Sequence, residues 1–372
     1  MTGVVFKAMT LRWMGLGVAL LLGACTDGSR RTDDAEGADA SSAARALTGV
    51  RLTGAGATFP YPLYSKWFDH YSRRTGIEIN YQSIGSGGGI RQFTLGTVDF
   101  GATDGPMSDV QMEAVKGGVV HFPTVLGAVV LTYNLPTLAN ERVTLDGATI
   151  AEIYLGRITR WNDPRIAGLN PGLALPALDI VVVHRSDGSG TTYVFTDYLS
   201  KVAPEWREQV GVSTSVRWLT GLGGKGNEGV TAQVKLLEGT LGYVELVYAV
   251  SNQLQYAAIR NRAGSVVSPT LASVSEAAAS ADLPPDTDFR VSITDAGGQG
   301  AYPIASFTWL LIYGDNPDAA KARTIRDFLR WMISDEAQRI AEEMQYAPLP
   351  APVIALLSRR IATLKAGGSP ID

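Results

Sequence analysis

The sequence predicts an α/β fold built on a largely parallel sheet covered by helices. Between residues 50 and 106, strand-like and helix-like patterns alternate as β-α-β-α-β. A further strand-turn-helix unit lies at 180–199: an apolar run from Ile180 to Val183, a polar glycine-containing turn, then Tyr193, Val194, Phe195, Tyr198 and Leu199 at helical spacing. With 372 residues, the chain is long enough for two ordinary domains and a large core.

In chain order, Val50 to Thr53 reads as a short strand, and Gly54-Ala55-Gly56-Ala57-Thr58-Phe59-Pro60 as a turn opening a helix. Tyr64, Trp67, Phe68 and Tyr71 form an i, i+3, i+4, i+7 stripe on that helix, which Gly76 ends. Ile77, Ile79 and Tyr81 alternate with polar residues as in a strand. The loop Gly85–Gly89 leads into a short helix through Ile90 and Phe93, and Val98 to Pro106 is a strand running into a turn. Val125 to Asn134 is a longer apolar strand that leads out of the first half. Thr149-Ile150-Ala151-Glu152 reads as a capping box, and Trp161 to Pro164 as a turn. The glycine loop 221–227 precedes a helix bearing Val230, Val234 and Leu237, and Leu241 to Val244 is a strand. Ser268-Pro269 marks a helix start, and Ile304 to Tyr313 is an apolar strand. The longest helix is expected from Asn316-Pro317 to about Met344, followed by a short last helix.

Composition narrows the function classes. Hydrophobic residues make up 45% and charged residues 18%, which is globular, and the formal net charge is −4. There is no long basic run, so nucleic acid is not an expected partner. The single cysteine, Cys25, excludes an internal disulfide. It follows a basic start (Lys7, Arg12), a short apolar run (14–22) and Leu22-Gly23-Ala24. That is the layout of a secretory signal, too short to span a bilayer comfortably. The tetrad Leu22-Gly23-Ala24-Cys25 looks like a bacterial lipobox, which implies cleavage after residue 24 and lipid on Cys25; a plain secretory signal is the alternative. Residues 26–46 are small and polar and read as a flexible tether, with a reach on the order of 25 Å. The lipidated, tethered segment is therefore 25–47, and the folded part is expected from about residue 48.

Most familiar chemistry is not supported. Gly221 to Gly226 matches G-x-G-x-x-G, but Val216 to Thr220 is a poor strand and Glu245 is the single acid near ribose distance. Lys225 is not followed by Ser or Thr in a Walker frame. There is no G-x-S-x-G, and His70, His121 and His184 are scattered with no metal-ligand spacing. No cofactor or metal and no enzymatic activity is expected.

Four polar turns remain, each at a strand end or helix start: Ala57-Thr58-Phe59, Gly85-Ser86-Gly87, Thr103-Asp104-Gly105, and Arg185 with Ser189-Gly190-Thr191. Ser189 stands at an N-cap position. Helix openings carry unpaired N–H groups and partial positive charge, and therefore suit oxyanions. Arg185 adds a planar donor fork. Any one of these turns is ordinary turn chemistry. Together, at the C-terminal ends of strands in one sheet, they favour an anion site.

Seven segments in order, 54–60, 84–89, 98–104, 153–158, 185–191, 221–227 and 241–245, make the chain resemble the phosphate-binding subunit of bacterial phosphate ABC transporters. The resemblance spans about residues 50–350. It implies a two-lobed periplasmic binding protein fold (type II), with mixed sheets flanked by helices and a hinge of crossing strands. The lobes would run 48–130, 131–255 and, returning to the first, 256–372. The implied phosphate ligands are Thr58, Phe59, Ser86, Asp104, Arg185, Ser189, Gly190 and Thr191, with Asp187 orienting Arg185. Gly87 and Thr192 stand where relatives often carry Ser, outside that set. The resemblance further implies a monomer outside the cytoplasmic membrane, held by lipid and delivering phosphate to membrane permease subunits. A secreted phosphatase-like enzyme and a binder of another tetrahedral oxyanion, such as sulfate, are the alternatives. Asp104 separates phosphate from sulfate: near neutral pH phosphate keeps a proton that a carboxylate can accept, whereas sulfate offers a bare oxygen.

Overall fold

The computed structural model describes residues 50–371, apart from Asn140 and Asp282. The expected signal (1–24), Cys25 and the tether lie outside the described residues. In the first part of the fold, β1 (Arg51–Gly56) and β2 (Glu78–Ser83) flank α1 (Tyr61–Thr75), and α2 (Ser86–Thr94) precedes β3 (Phe100–Thr103). Gly76 caps α1 at φ 76°, a left-handed position that favours glycine. The short helix α3 (Asp109–Glu113) leads to β4 (Val119–Tyr133), 15 residues long and begun earlier than its apolar core suggested. Then come β5 (Thr144–Asp146), α4 (Gly147–Tyr154), α5 (Pro164–Leu169), β6 (Val181–Arg185), α6 (Gly190–Val202), α7 (Pro204–Gln209), β7 (Leu222–Gly224), α8 (Gly226–Leu236), β8 (Thr240–Glu245) and α9 (Leu246–Ser251). The chain returns through β9 (Gln255–Tyr256), β10 (Ala258–Arg260), β11 (Val266–Val267) and α10 (Leu271–Ala279) to β12 (Ala305–Tyr313). It ends with β13 (Asp315–Asn316), α11 (Ala319–Met332), α12 (Asp335–Glu343), α13 (Ala351–Ile361), β14 (Lys365–Ala366) and β15 (Ser369–Pro370).

The main sheet has the order β2-β1-β3-β12-β4-β8-β6-β7, with β9 also on β4. Strand β4 joins its two halves. Residues 119–128 pair antiparallel with β12, and 129–133 pair antiparallel with β8. On either side the outer strands run parallel, β1 with β2 and β3, and β6 with β7 and β8. This is the mixed, two-lobed α/β architecture expected. A separate small sheet pairs β10 with β5 and β11.

Three local expectations change. The helix near Thr149 begins at Gly147, because Asp146 is the cap and accepts the Thr149 N–H at 2.8 Å. The helix after Ser268-Pro269 begins at Leu271, where Thr270 and Ser273 cap each other reciprocally. The long helix is two helices: Ser334 followed by Asp335 and Glu336 is itself a start signal and divides α11 from α12. At 15 residues α1 exceeds α11, at 14.

The aromatic stripe of α1 is buried as its spacing required. Phe68 and Tyr71 meet Phe328 of α11 at 5.7 and 4.9 Å between ring centroids. Trp67 is fully buried and its indole N–H donates to the Ala337 carbonyl at 2.9 Å. Trp67→Ala should therefore cost about 3–5 kcal/mol through lost burial and an incompletely collapsed cavity. Urea unfolding measures it, and an unchanged midpoint would contradict this packing.

Candidate oxyanion-binding site

The parallel strands of both halves end beside the openings of helices. Thr58 and Phe59 follow β1 and precede α1; Ser86 opens α2; Asp104 follows β3; Arg185 ends β6; Ser189 caps α6; Gly226 and Asn227 open α8. Thr58, Ser86, Asp104, Arg185, Ser189 and Thr191 are all buried, at most 3% exposed. Hydrogen bonds tie them into one cluster spanning the two halves. The Gly190 N–H donates to Ser86 Oγ at 3.0 Å, and the Gly87 N–H to the Gly188 carbonyl at 2.8 Å. A Cβ on Gly190 would lie 2.5 Å from Ser86 Oγ and 2.6 Å from the Asp104 main-chain nitrogen. Glycine there is a packing requirement.

Arg185 is held from three sides. Its Nε and Nη2 donate to the two Asp187 oxygens at 2.8 and 2.5 Å, and Nη1 donates to Thr191 Oγ1 at 3.2 Å. The Tyr243 hydroxyl accepts the Arg185 N–H at 3.1 Å. Burial works to raise Asp187, but the Arg185 hydrogen bonds and charge, with the Gly226 N–H at 3.0 Å, hold it below the usual carboxylate range. The two Asp187 bonds fix the fork in plane.

Asp104 differs. It is buried, and Oδ1 accepts the Thr308 hydroxyl at 2.8 Å, while Oδ2 lies 3.5 Å from Ser86 Oγ. Burial pushes its pKa up to about 7, against the Thr308 hydrogen bond, the Arg185 charge and the Ser86 hydrogen bond. The sheet explains Thr308: β12 runs antiparallel to β3 with Trp309 opposite Thr103, which brings the next residues, Thr308 and Asp104, side by side.

The remaining expected residues are placed as follows. Ser189 Oγ accepts the Thr192 N–H at 3.0 Å, the N-cap bond its position suggested. Phe59 is buried, and its carbonyl accepts the Tyr346 hydroxyl at 2.7 Å; the Thr58 carbonyl accepts that of Tyr248 at 2.6 Å. Thr192 lies outside the cluster's front, its hydroxyl 2.6 Å from that of Tyr243. The three histidines serve elsewhere: His121 accepts the Met107 N–H at 3.0 Å, His184 stacks on Trp218, and His70 meets Glu336 at 3.0 Å.

Two residues escaped the sequence reading. Asn227 donates from Nδ2 to Thr58 Oγ1 at 2.7 Å, and Thr308 supports Asp104. Asn227 closes the glycine loop, which here clamps Asp187 through the Gly226 N–H. Its helix-start position was the available signal. Thr308, a polar residue between Phe307 and Trp309 in a buried strand, offered a weaker one.

A family profile described as PBP superfamily domain matches residues 35–336. A phosphate-binding protein PstS from Xylella fastidiosa is 46% identical over 301 residues, 81% of this chain and 82% of that protein. One from Haemophilus influenzae is 44% identical over 314 residues, 84% of this chain and 92% of that protein. The solved structure of a high-affinity periplasmic phosphate-binding protein (PfluDING), bound with phosphate, superposes with a TM-score of 0.68 at 23% identity, covering 84% of this chain and 94% of that one, and shares the fold. On a profile match and on identity sustained along most of its length, the chain belongs to the PstS family of phosphate-binding proteins within the PBP superfamily.

Proposed function

We propose that this protein binds inorganic phosphate outside the cytoplasmic membrane and delivers it to the permease subunits of an ABC importer. The observation that carries the reading is the convergence of Thr58, Ser86, Asp104, Arg185, Ser189 and Thr191 at one buried place, in a chain whose relatives are named phosphate-binding proteins. The ligand set is Thr58, Phe59, Ser86, Asp104, Arg185, Ser189, Gly190 and Thr191, with Asp187 orienting Arg185. Main-chain N–H groups and hydroxyls donate to the phosphate oxygens, and Asp104 accepts its proton. On binding, the ligand takes over the donor that Gly190 gives Ser86.

No bond of the ligand breaks, so the protein is a carrier and not an enzyme. The lobes meet near Ala128–Val129, where β4 changes partners, and again between Val267 and Ala305; ligand contacts to both drive hinge closure. A monomer is lipid-anchored through Cys25. Mass spectrometry of the protein isolated from a bacterial membrane should find a diacylglyceryl Cys25 as the first residue, and an intact leader or an unmodified cysteine would overturn the anchor.

Thermal unfolding in an oxyanion panel tests the function. Phosphate should raise the melting temperature in step with RT ln(1 + [L]/Kd), with sulfate far behind. A sulfate shift equal to that of phosphate, or turnover of an aryl phosphate, would refute the reading.

Asp104→Asn should narrow the phosphate-to-sulfate ratio, since the amide can donate to a bare oxygen; titration calorimetry with both anions reads it, and unchanged discrimination would remove Asp104 from this role. The same variant tests the buried charge in the ligand-free protein. Asp104 rises from 3.8 in the unfolded chain to about 7 in the fold. The folded state then binds the extra proton, so this contribution is full below about pH 4 and lost as pH rises through 7. Relative to Asp104→Asn, the wild type should lose on the order of 4 kcal/mol across that window, an upper bound. Urea unfolding at pH 4, 5.5 and 8 measures the gap, and a gap independent of pH would be the contrary result.

A further inference from the structure

Asn227 is fully buried at the second position of α8. Its Oδ1 accepts the Glu245 N–H at 3.0 Å, which fixes the amide so that Nδ2 faces the cluster. Nδ2 donates to Thr58 Oγ1 at 2.7 Å and to Thr191 Oγ1 at 3.3 Å, and the Asn227 main-chain N–H donates to Thr58 Oγ1 at 3.2 Å. A hydroxyl has two acceptor lone pairs and one proton. Thr58 Oγ1 receives two N–H donors, both from Asn227. Thr191 Oγ1 also receives two, from Asn227 and from Arg185 Nη1 at 3.2 Å. Each hydroxyl has its acceptor capacity filled and can engage a ligand only by giving its proton.

We infer that Asn227 is a positioning residue for the anion site, one that locks the Thr58 and Thr191 hydroxyls as one-way donors. The inference rests on the phosphate reading above and deepens it. A freely turning hydroxyl accepts from a protonated ligand oxygen as readily as it donates to a bare one. A locked hydroxyl tolerates only the bare oxygen. At Thr58 and Thr191 a ligand proton then finds no acceptor, so the site sorts oxyanions by where they carry protons as well as by charge.

The test is a double-mutant cycle on phosphate affinity. Asn227→Ala should weaken binding by about 10- to 100-fold, and Thr58→Val, which keeps shape and removes the hydroxyl, by a similar factor. Two of the three Asn227 bonds, including the shortest at 2.7 Å, go to the Thr58 hydroxyl, and Thr191 keeps the Arg185 donor, so the double variant should bind within about three-fold of Thr58→Val alone. Losses that multiply would mean that Asn227 merely supports the fold and would overturn the inference, because a general structural role does not couple to one hydroxyl. Should Asn227→Ala lack a cooperative melt, the cycle is read with Asn227→Ser by the same criterion. Wild-type protein in the same titration is the control: if it binds no phosphate, the functional reading and the inference fall together, whereas wild-type binding with independent losses removes the inference alone.

Discussion

The site depends on how closely the two halves approach through their backbones. The opening of α2 and the loop before α6 touch through the Gly87 N–H and the Gly188 carbonyl, 2.8 Å apart, and through the Gly190 N–H and Ser86 Oγ at 3.0 Å. A side chain at Gly190 would sit inside the Asp104 main chain. Two helix openings are thereby brought face to face, each with its partial positive charge and N–H donors. Such an arrangement is electrostatically unfavourable without an anion near the ends.

Charge is handled differently on the two sides of the cluster. Arg185 is 3% exposed and would be costly unpaired; the bidentate Asp187 contact neutralises it and leaves the fork rigid. Asp104 has no cation bonded to it among its contacts, only hydroxyls, and its pKa rises accordingly. The protein thus keeps Asp104 as a buried carboxylate under tension next to a set of donors. That is a poor choice for stability and a good one for recognising an anion that still carries a proton.

The scaffold for this is strand β4, which serves one half with residues 119–128 and the other with 129–133. Around the point of exchange lie Tyr346 and Tyr248, whose hydroxyls hold the Phe59 and Thr58 carbonyls, and the β12–β3 pairing that sets Thr308 beside Asp104. The residues shaping the anion site and those at the joint between halves are therefore in contact.

Much of this was legible without coordinates. The strand and helix order, the aromatic face of α1, the Gly76 end and the Ser189 cap follow from residues within a turn or two of each other, where spacing and backbone chemistry act directly. The misplaced starts at Gly147 and Leu271 and the divided helix at Ser334 are local as well, cases in which one capping signal outranked another nearby. The residues gathered in the buried cluster were nameable from turns whose chemistry suits an anion and from family resemblance. Their mutual commitments were not. Asn227 bonds Thr58 across 169 positions, and Thr308 bonds Asp104 across 204. Such pairs arise from sheet register and the joining of the halves on β4. The sequence by itself determined the elements and the donor types, which act over a few neighbouring residues; the tertiary structure alone decided which lone pairs are already filled and that Asp104 is buried against hydroxyls, because those contacts join distant strands and helix starts.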